Sequence, residues 1–153
     1  MPYTAVIKTP VGKIGIITDN DHLTALHFLP HAAKEIAPKD TFSKNVVQQL
    51  EYYFKNPKTV FNIPIQLNGT PFQNKVWQRL CKITTGKTAT YGELAKTLDT
   101  GARAIGAGCR TNPIPIVIPC HRVVAQNGLG GFCGKDKAFF LEIKKWLLAH
   151  ESI

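Results

Sequence analysis

IPIVIPCHRVV, residues 114–124, is the stretch on which the reading of this chain turns. Ile114, Ile116, Val117 and Ile118 form an apolar run that ends at Pro119 and gives way at once to Cys120, His121 and Arg122. Such a run is driven into the interior, and here it carries a thiol, an imidazole and a guanidinium with it. Pro119 fixes its own φ and removes a backbone donor, so the chain enters Cys120 stiffly. Cysteine attacks as the thiolate, whose reference pKa of about 8.5 falls beside a base or a cationic field. On a strand, Cys120 and His121 would point to opposite faces; on a tight turn they can converge on a bridging water. The imidazole would then need a carboxylate to hold its tautomer. Cys-His alone leaves the ordinary alternative open, a buried thiol beside a surface imidazole. Neighbouring residues rarely share one metal ion, and no second Cys/His pair stands at ligand spacing.

Outward from this stretch, the second half reads as helices. Thr70-Pro71-Phe72-Gln73 is a helix start, with Thr as N-cap, Pro at the first position and Gln three residues after the cap. Phe72, Val76, Trp77, Leu80 and Cys81 are predicted to face inward. After the loop TTGKTAT, Thr90-Tyr91-Gly92-Glu93 is a second capping box, opening YGELAKTL with Leu94 and Leu98 on one side. Asp99-Thr100-Gly101 then leads into ARAIGAGCR, so the pair reads as a helix-turn-helix whose second member is rich in small residues. Small residues let that helix lie close to a protein or nucleic-acid surface. The last helix runs through FFLEIKKWLLAHE, with Phe140, Ile143, Trp146 and Leu147 as its stripe.

The first half has a different rhythm. AVIK and KIGIIT flank TPVG, and HLTALHFL follows DND, which predicts a three-stranded antiparallel meander over residues 3–29. His22 and His27 lie in it as surface or satisfied residues, without a partner at ligand spacing. Ser43 is the expected cap of the helix SKNVVQQLEYYFKN, with Val46, Val47, Leu50 and Phe54 as its apolar stripe. FNIPIQL alternates as a half-buried strand, and NGT at 68–70 is a natural boundary. The expected organisation is α+β: residues 1–67 a small sheet-and-helix domain, residues 68–153 a mostly helical one.

Bulk properties narrow the classes. The 153 residues are 44% hydrophobic, an ordinary globular value, and no apolar stretch is long enough for a transmembrane helix. MPYTAVIKTP lacks the layout of a signal peptide, so a cytoplasmic protein is expected. Cysteines 81, 109, 120 and 133 form no CxxC pair and read as free thiols. A formal charge of +9 favours a polyanionic partner, although many basic proteins bind none. No phosphate-binding glycine motif occurs, and GLGG at 128–131 signals a loop only, so no cofactor is implied.

Taken in order, GTPFQNKVWQRL, TYGELA, ARAIGAGCRTNPIPIVIPCHRVV and KKWLLAHE resemble the O6-alkylguanine-DNA alkyltransferase family, the methylated-DNA–protein-cysteine methyltransferases. The resemblance implies a ribonuclease H-like first domain and a DNA-binding second one. It implies that Cys120 accepts the alkyl group, that His121 is its base through a water, and that Glu151 orients His121. Asn112 would tie the recognition helix to the active-site loop, and Tyr91 would donate to N3 of the flipped base. Arg103 would fill the space that the nucleotide leaves, and the Val123 carbonyl would meet its exocyclic amine. Arg110, Arg122, Phe132 and Cys133 complete the expected substrate and DNA contacts. The partner would be double-stranded DNA carrying O6-alkylguanine, bound through the minor groove by a monomer, with no metal and no membrane.

Elementary physics agrees with that assignment. A stacked base cannot offer its O6-alkyl carbon to a thiol, so the nucleotide must be extruded at a cost of a few kcal/mol. Minor-groove binding reads sequence poorly, which suits lesions that occur anywhere. The product thioether cannot be reversed, so each molecule would act once. The chain departs from the family at Gly131-Phe132-Cys133-Gly134-Lys135, where a second glycine is missing and DKAFFLEI follows. A module that binds alkylated DNA without chemistry and a cysteine hydrolase unrelated to DNA are the competing classes. The acceptor cysteine argues against the first; Arg103, Asn112 and the charge argue against the second.

Overall fold

Two tight turns shape the first sheet. Asn20 and Asp21 both take positive φ (49° and 55°) between Asp19 and His22, which face each other across the hairpin. Two left-handed residues in a two-residue loop match the twist of antiparallel strands, and Asn and Asp tolerate that conformation best after glycine. The computed structural model describes residues 2–130 and 137–152. Strands β1 (Ala5–Thr9), β2 (Gly12–Asp19) and β3 (His22–Leu29) form the expected antiparallel meander in the order β1-β2-β3. Ala5, Ile14, Ile16, Leu23 and Leu26 are buried in it. His22 bonds the Asn20 carbonyl at 2.7 Å and His27 the Tyr3 hydroxyl at 2.9 Å.

Helix α1 (Thr41–Lys55) packs against β1. Its cap is Asp40 rather than Ser43: the Asp40 carboxylate accepts from the Ser43 amide (2.7 Å) and from its hydroxyl (2.9 Å). A carboxylate at the positive end of the helix outcompetes a hydroxyl one turn in, and those two bonds hold its pKa below the usual value. Val46, Val47, Leu50 and Tyr53 are buried, with Tyr53 taking the place expected of Phe54. FNIPIQL keeps its alternation, odd positions half-buried and even ones exposed, yet it forms no strand. It makes a single bridge, Leu23 to Ile65, because Pro64 has no N–H to continue a ladder.

The chain separates into two compact units, Met1–Leu67 and Asn68–Ile153. The second opens with α2 (Pro71–Leu80), capped by Thr70 and Gln73 in the reciprocal arrangement that the sequence signals. Val76, Trp77 and Leu80 are buried, whereas Phe72 is 37% exposed and Cys81, the C-cap, is exposed rather than core. Next come β4 (Ala89–Thr90), α3 (Tyr91–Thr97) with its Thr90/Glu93 capping box, and α4 (Ala102–Arg110). Trp77 Nε1 donates to the Gly108 carbonyl at 2.9 Å, and a Cβ on Gly108 would lie 2.9 Å from Val76, so this glycine lets α4 settle on α2. Residues 120–122 form one 3-10 turn, followed by β5 (Val123–Val124) parallel to β4 and by α5 (Lys137–Glu151). Antiparallel sheet with one helix, then a helical unit with a helix-turn-helix: the fold is α+β as expected.

Candidate active site

The loop before Cys120 is anchored from α4. Asn112 is buried; its amide donates to the Ile118 carbonyl (2.8 Å) and its carbonyl oxygen accepts from the Ile114 amide (3.0 Å). One side chain thus pins both ends of the apolar run. Between those ends Ile116, 2% exposed, sits at φ +75°, a conformation that β-branched residues avoid. Pro119 (φ −80°, ψ 64°) makes an inverse γ-turn closed by Cys120 N–H to Ile118 O at 2.8 Å. The 3-10 turn then projects three consecutive side chains, all buried, from Cys120 to Arg122. The segment is therefore a turn, not a strand, which answers how adjacent residues can serve one site.

Glu151, at the end of α5 and 3% exposed, closes the cluster. Its Oε2 accepts from His121 Nε2 at 2.8 Å, and its Oε1 from Arg122 Nε at 2.8 Å. Arg122 Nη2 adds a third bond to Glu151 at 3.0 Å and reaches Thr85 Oγ1 at 3.1 Å, while Nη1 donates to the Ile83 carbonyl. A carboxylate only accepts, so His121 carries its proton on Nε2 and leaves Nδ1 as the basic nitrogen. Nδ1 is buried and has no hydrogen-bond partner among the described residues. Burial lowers the His121 pKa below its ordinary value; the Glu151 bond and charge oppose this, and the Arg122 and Lys144 charges add to it. The imidazole is thus neutral at neutral pH, the state a base requires. Cys120 is 1% exposed. Cys109, behind it, has its thiol pushed up to about 12 by burial and then by Cys120, so it stays protonated.

Arg122 departs from its expected place among the DNA contacts. It is 8% exposed, and its guanidinium is used internally on Glu151, Thr85 and Ile83. Arg103 and Arg110 are exposed on α4, seven residues apart and hence on one face, with Gly106 and Ala107 between them. That face is a stripe of cation, small residues, cation. The ladder of Ala89–Thr90 with Val123–Val124 sets Tyr91 beside the Cys120 turn. Gly130 (φ +71°) abuts the Tyr91 ring, where a Cβ would lie 2.7 Å away. Val123 is buried, and its carbonyl accepts from Lys144 Nζ at 2.6 Å. Phe132 and Cys133 lie outside the described residues. Lys144 is the residue that sequence reasoning missed, yet the signal was present. In helical register from Phe140, positions 144, 147 and 151 share one face, so two charged residues interrupt an otherwise apolar stripe.

Comparison with known proteins decides the family. A family model described as "6-O-methylguanine DNA methyltransferase, ribonuclease-like domain" matches residues 2–67, and its companion "DNA binding domain" matches residues 71–153. The chain belongs to the 6-O-methylguanine DNA methyltransferase family. A methylated-DNA–protein-cysteine methyltransferase of Methanosarcina mazei is 39% identical over 157 residues, covering 97% of this chain and 96% of that one. The constitutive methylated-DNA–protein-cysteine methyltransferase of Bacillus subtilis is 33% identical, covering 95% and 96%. Among solved structures, Mycobacterium tuberculosis OGT in complex with DNA superposes with a TM-score of 0.81 at 35% identity, covering 96% of this chain and 90% of that one. Within this family framework, the described residues include no group of His, Cys, Asp or Glu that could hold a metal ion. None of their helices is long and apolar enough to cross a membrane.

Proposed function

We propose that this family member repairs DNA by moving an alkyl group from O6 of guanine to Cys120, once per molecule. The observation that carries the reading is the buried chain of contacts from the Cys120 turn through His121 Nε2 to Glu151, which leaves the basic Nδ1 for the thiol proton. A water between Nδ1 and the Cys120 sulfur relays that proton to Nδ1, leaving the imidazolium held by Glu151. The thiolate then attacks the alkyl carbon; the S–C bond forms as the C–O6 bond breaks, and the electron pair leaves on the purine. The proton lost from the thiol ends on the released guanine through solvent, so the balance closes without a cofactor. The Tyr91 hydroxyl donates to N3 as charge grows there, and the Val123 carbonyl, with a second lone pair beyond its bond to Lys144, meets the exocyclic amine.

The small-residue stripe of α4 enters the minor groove, and Arg103 occupies the gap left by the extruded nucleotide, with Arg110 on flanking phosphate. A relative solved with DNA supports the partner, and the exposed position of both arginines supports the face. At 1% exposure the sulfur is nearly closed to water, so the base must displace part of the wall to reach it. The protein acts as a monomer with residues 68–153 as its reactive domain. The test is intact mass after incubation with a duplex bearing one O6-methylguanine. One added methyl, saturating at one equivalent and absent in Cys120→Ala, is expected, with DNA binding retained by that variant. Binding without mass gain would make the chain a recognition module instead.

A further inference from the structure

Glu51 and Glu93 are consecutive acidic residues: no Asp or Glu stands between them, whereas six Lys and Arg do. Helix α2 lies inside this interval, and its sequence PFQNKVWQRL holds no carboxylate. Val76, Trp77 and Leu80 turn inward. At about 100° per residue, Lys75, Arg79 and Lys82 gather on the other side, centred about 140° round the helix from that buried face. Lys82 stays in register because the C-cap, Cys81, keeps helical backbone angles (φ −62°, ψ −15°). Lys75 and Lys82 are exposed and Arg79 is half-buried. No carboxylate of the described residues forms an ion pair with any of the three. A surface that serves solubility alone mixes both signs. The helix dipole favours cations at a C-terminus, which accounts for Arg79 and Lys82. It leaves Lys75 unexplained, one turn before Arg79 and repelled by it.

This face is not the small-residue stripe of α4. Helix α2 meets α4 at Gly108, whose carbonyl accepts from Trp77 Nε1 at 2.9 Å and whose Cα lies against Val76. On α4, Gly108 lies about 150° round the helix from the stripe of Arg103, Gly106, Ala107 and Arg110. Helix α2 therefore stands behind α4, and its cations look away from it. A duplex seated on the stripe has α4 between itself and α2. We propose that the outer face of α2 binds the phosphate backbone of a second DNA segment, so that one molecule bridges two duplexes. The proposal rests on the reading above only for where the first duplex sits. From Lys75 to Lys82 the face runs about 10 Å along the helix axis, at about 1.5 Å per residue. Over that length duplex DNA presents about six phosphates, one per about 1.7 Å. Three cations so spaced meet phosphate wherever they land, without reading bases. An acidic protein would have to match the three positions with carboxylates of its own. A second hold lets the molecule pass from one segment to the next without full release, which suits a search for scattered lesions.

The test loads the full chain onto a bead-bound, unmodified duplex and measures capture of a labelled second duplex over a salt series. Affinity for the second duplex should fall about 40-fold between about 50 and about 200 mM salt, the slope of three phosphate contacts. The triple variant Lys75→Gln, Arg79→Gln, Lys82→Gln should lose capture. It should still transfer methyl from a duplex with one O6-methylguanine within about twofold of wild type, since α4 is untouched. Capture retained by the triple variant overturns the proposal, as does wild-type protein that holds the first duplex and captures no second. Polyglutamate that displaces the second duplex as readily as unlabelled DNA overturns it too, and assigns the face to an acidic protein. If the triple variant does not fold, Lys75→Gln and Lys82→Gln alone should each lower the salt slope by about 1, and unmoved slopes overturn the proposal equally. A wild-type chain that bridges duplexes but gains no methyl removes the alkyl-transfer reading and leaves this surface standing.

Discussion

Glu151→Gln changes one oxygen into an NH2 group with almost no change in shape. Glu151 accepts three bonds, at 2.8 Å from His121 and at 2.8 and 3.0 Å from Arg122. An amide has one oxygen to offer. If that oxygen stays on Arg122 Nε, the NH2 faces two groups that are themselves donors, His121 Nε2–H and Arg122 Nη2–H. In that orientation His121 relieves the conflict by moving its proton to Nδ1, which removes the basic nitrogen from the thiol side; the flipped amide would instead keep His121 and set its NH2 against Arg122 Nε–H, breaking the ion pair. Replacing a buried orienting carboxylate by its amide in this way costs about 10⁴-fold in rate in a nucleophile–base–carboxylate set. The fold suffers as well. Two charge-assisted bonds at about 1.5–3 kcal/mol each, with Arg122 left short of its anion, come to about 3–6 kcal/mol. Rapid-quench transfer from a methylated duplex, read by intact mass, measures the first effect, and denaturant unfolding of the same preparation the second. A Gln variant that reacts within about tenfold of wild type while melting normally would refute the tautomer argument.

Three more expectations follow from the same geometry. Arg103→Ala should slow repair of duplex far more than reaction with free O6-alkylguanine base; equal slowing, compared by the two single-turnover assays, would remove its role in filling the duplex. Because His121 titrates below 6.5 in the fold, the rate should hold to below that pH before its acid limb begins. Stability carries the same sign: under about pH 6.5 the unfolded imidazole takes a proton that the buried one refuses, so unfolding free energy falls on acidification. A melting temperature that rises between pH 7 and 5 would contradict this. Asn112→Ala should leave the Ile114 amide unpaired in the interior, at about 1–3 kcal/mol, leave the Ile118 carbonyl with only its γ-turn bond from Cys120, and lower transfer as the Cys120 loop loses its anchor.

Much of the architecture was legible because it is local. Both capping boxes come from residues three positions apart, and the meander and the helix-turn-helix from neighbouring elements joined by short turns, where stereochemistry acts directly. The misreadings are of another kind. Phe72 and Cys81 fit an apolar stripe by spacing, but nothing local says which parts of a short helix are covered. Ser43 was a plausible cap until Asp40, three residues earlier, took the orphan amide. In the site, CHR was visible as chemistry, whereas the pairing of His121 with Glu151, 30 residues apart, was implied only by resemblance. Arg122 looks like a surface cation in any local reading, and Lys144 stands out only by falling on the apolar face of α5; the assembled interior reveals what each is bonded to.

Among the described residues at positive φ, Ile116 alone is β-branched. A branched side chain at φ +75° is held there by its burial and by the Asn112 clamp on either side, against a backbone preference on the order of 1–3 kcal/mol. The acceptor loop therefore borrows its shape from its surroundings. Modest heat or denaturant should let this segment slip before the helices melt, leaving a molecule that still looks intact by circular dichroism and has already gone chemically mute.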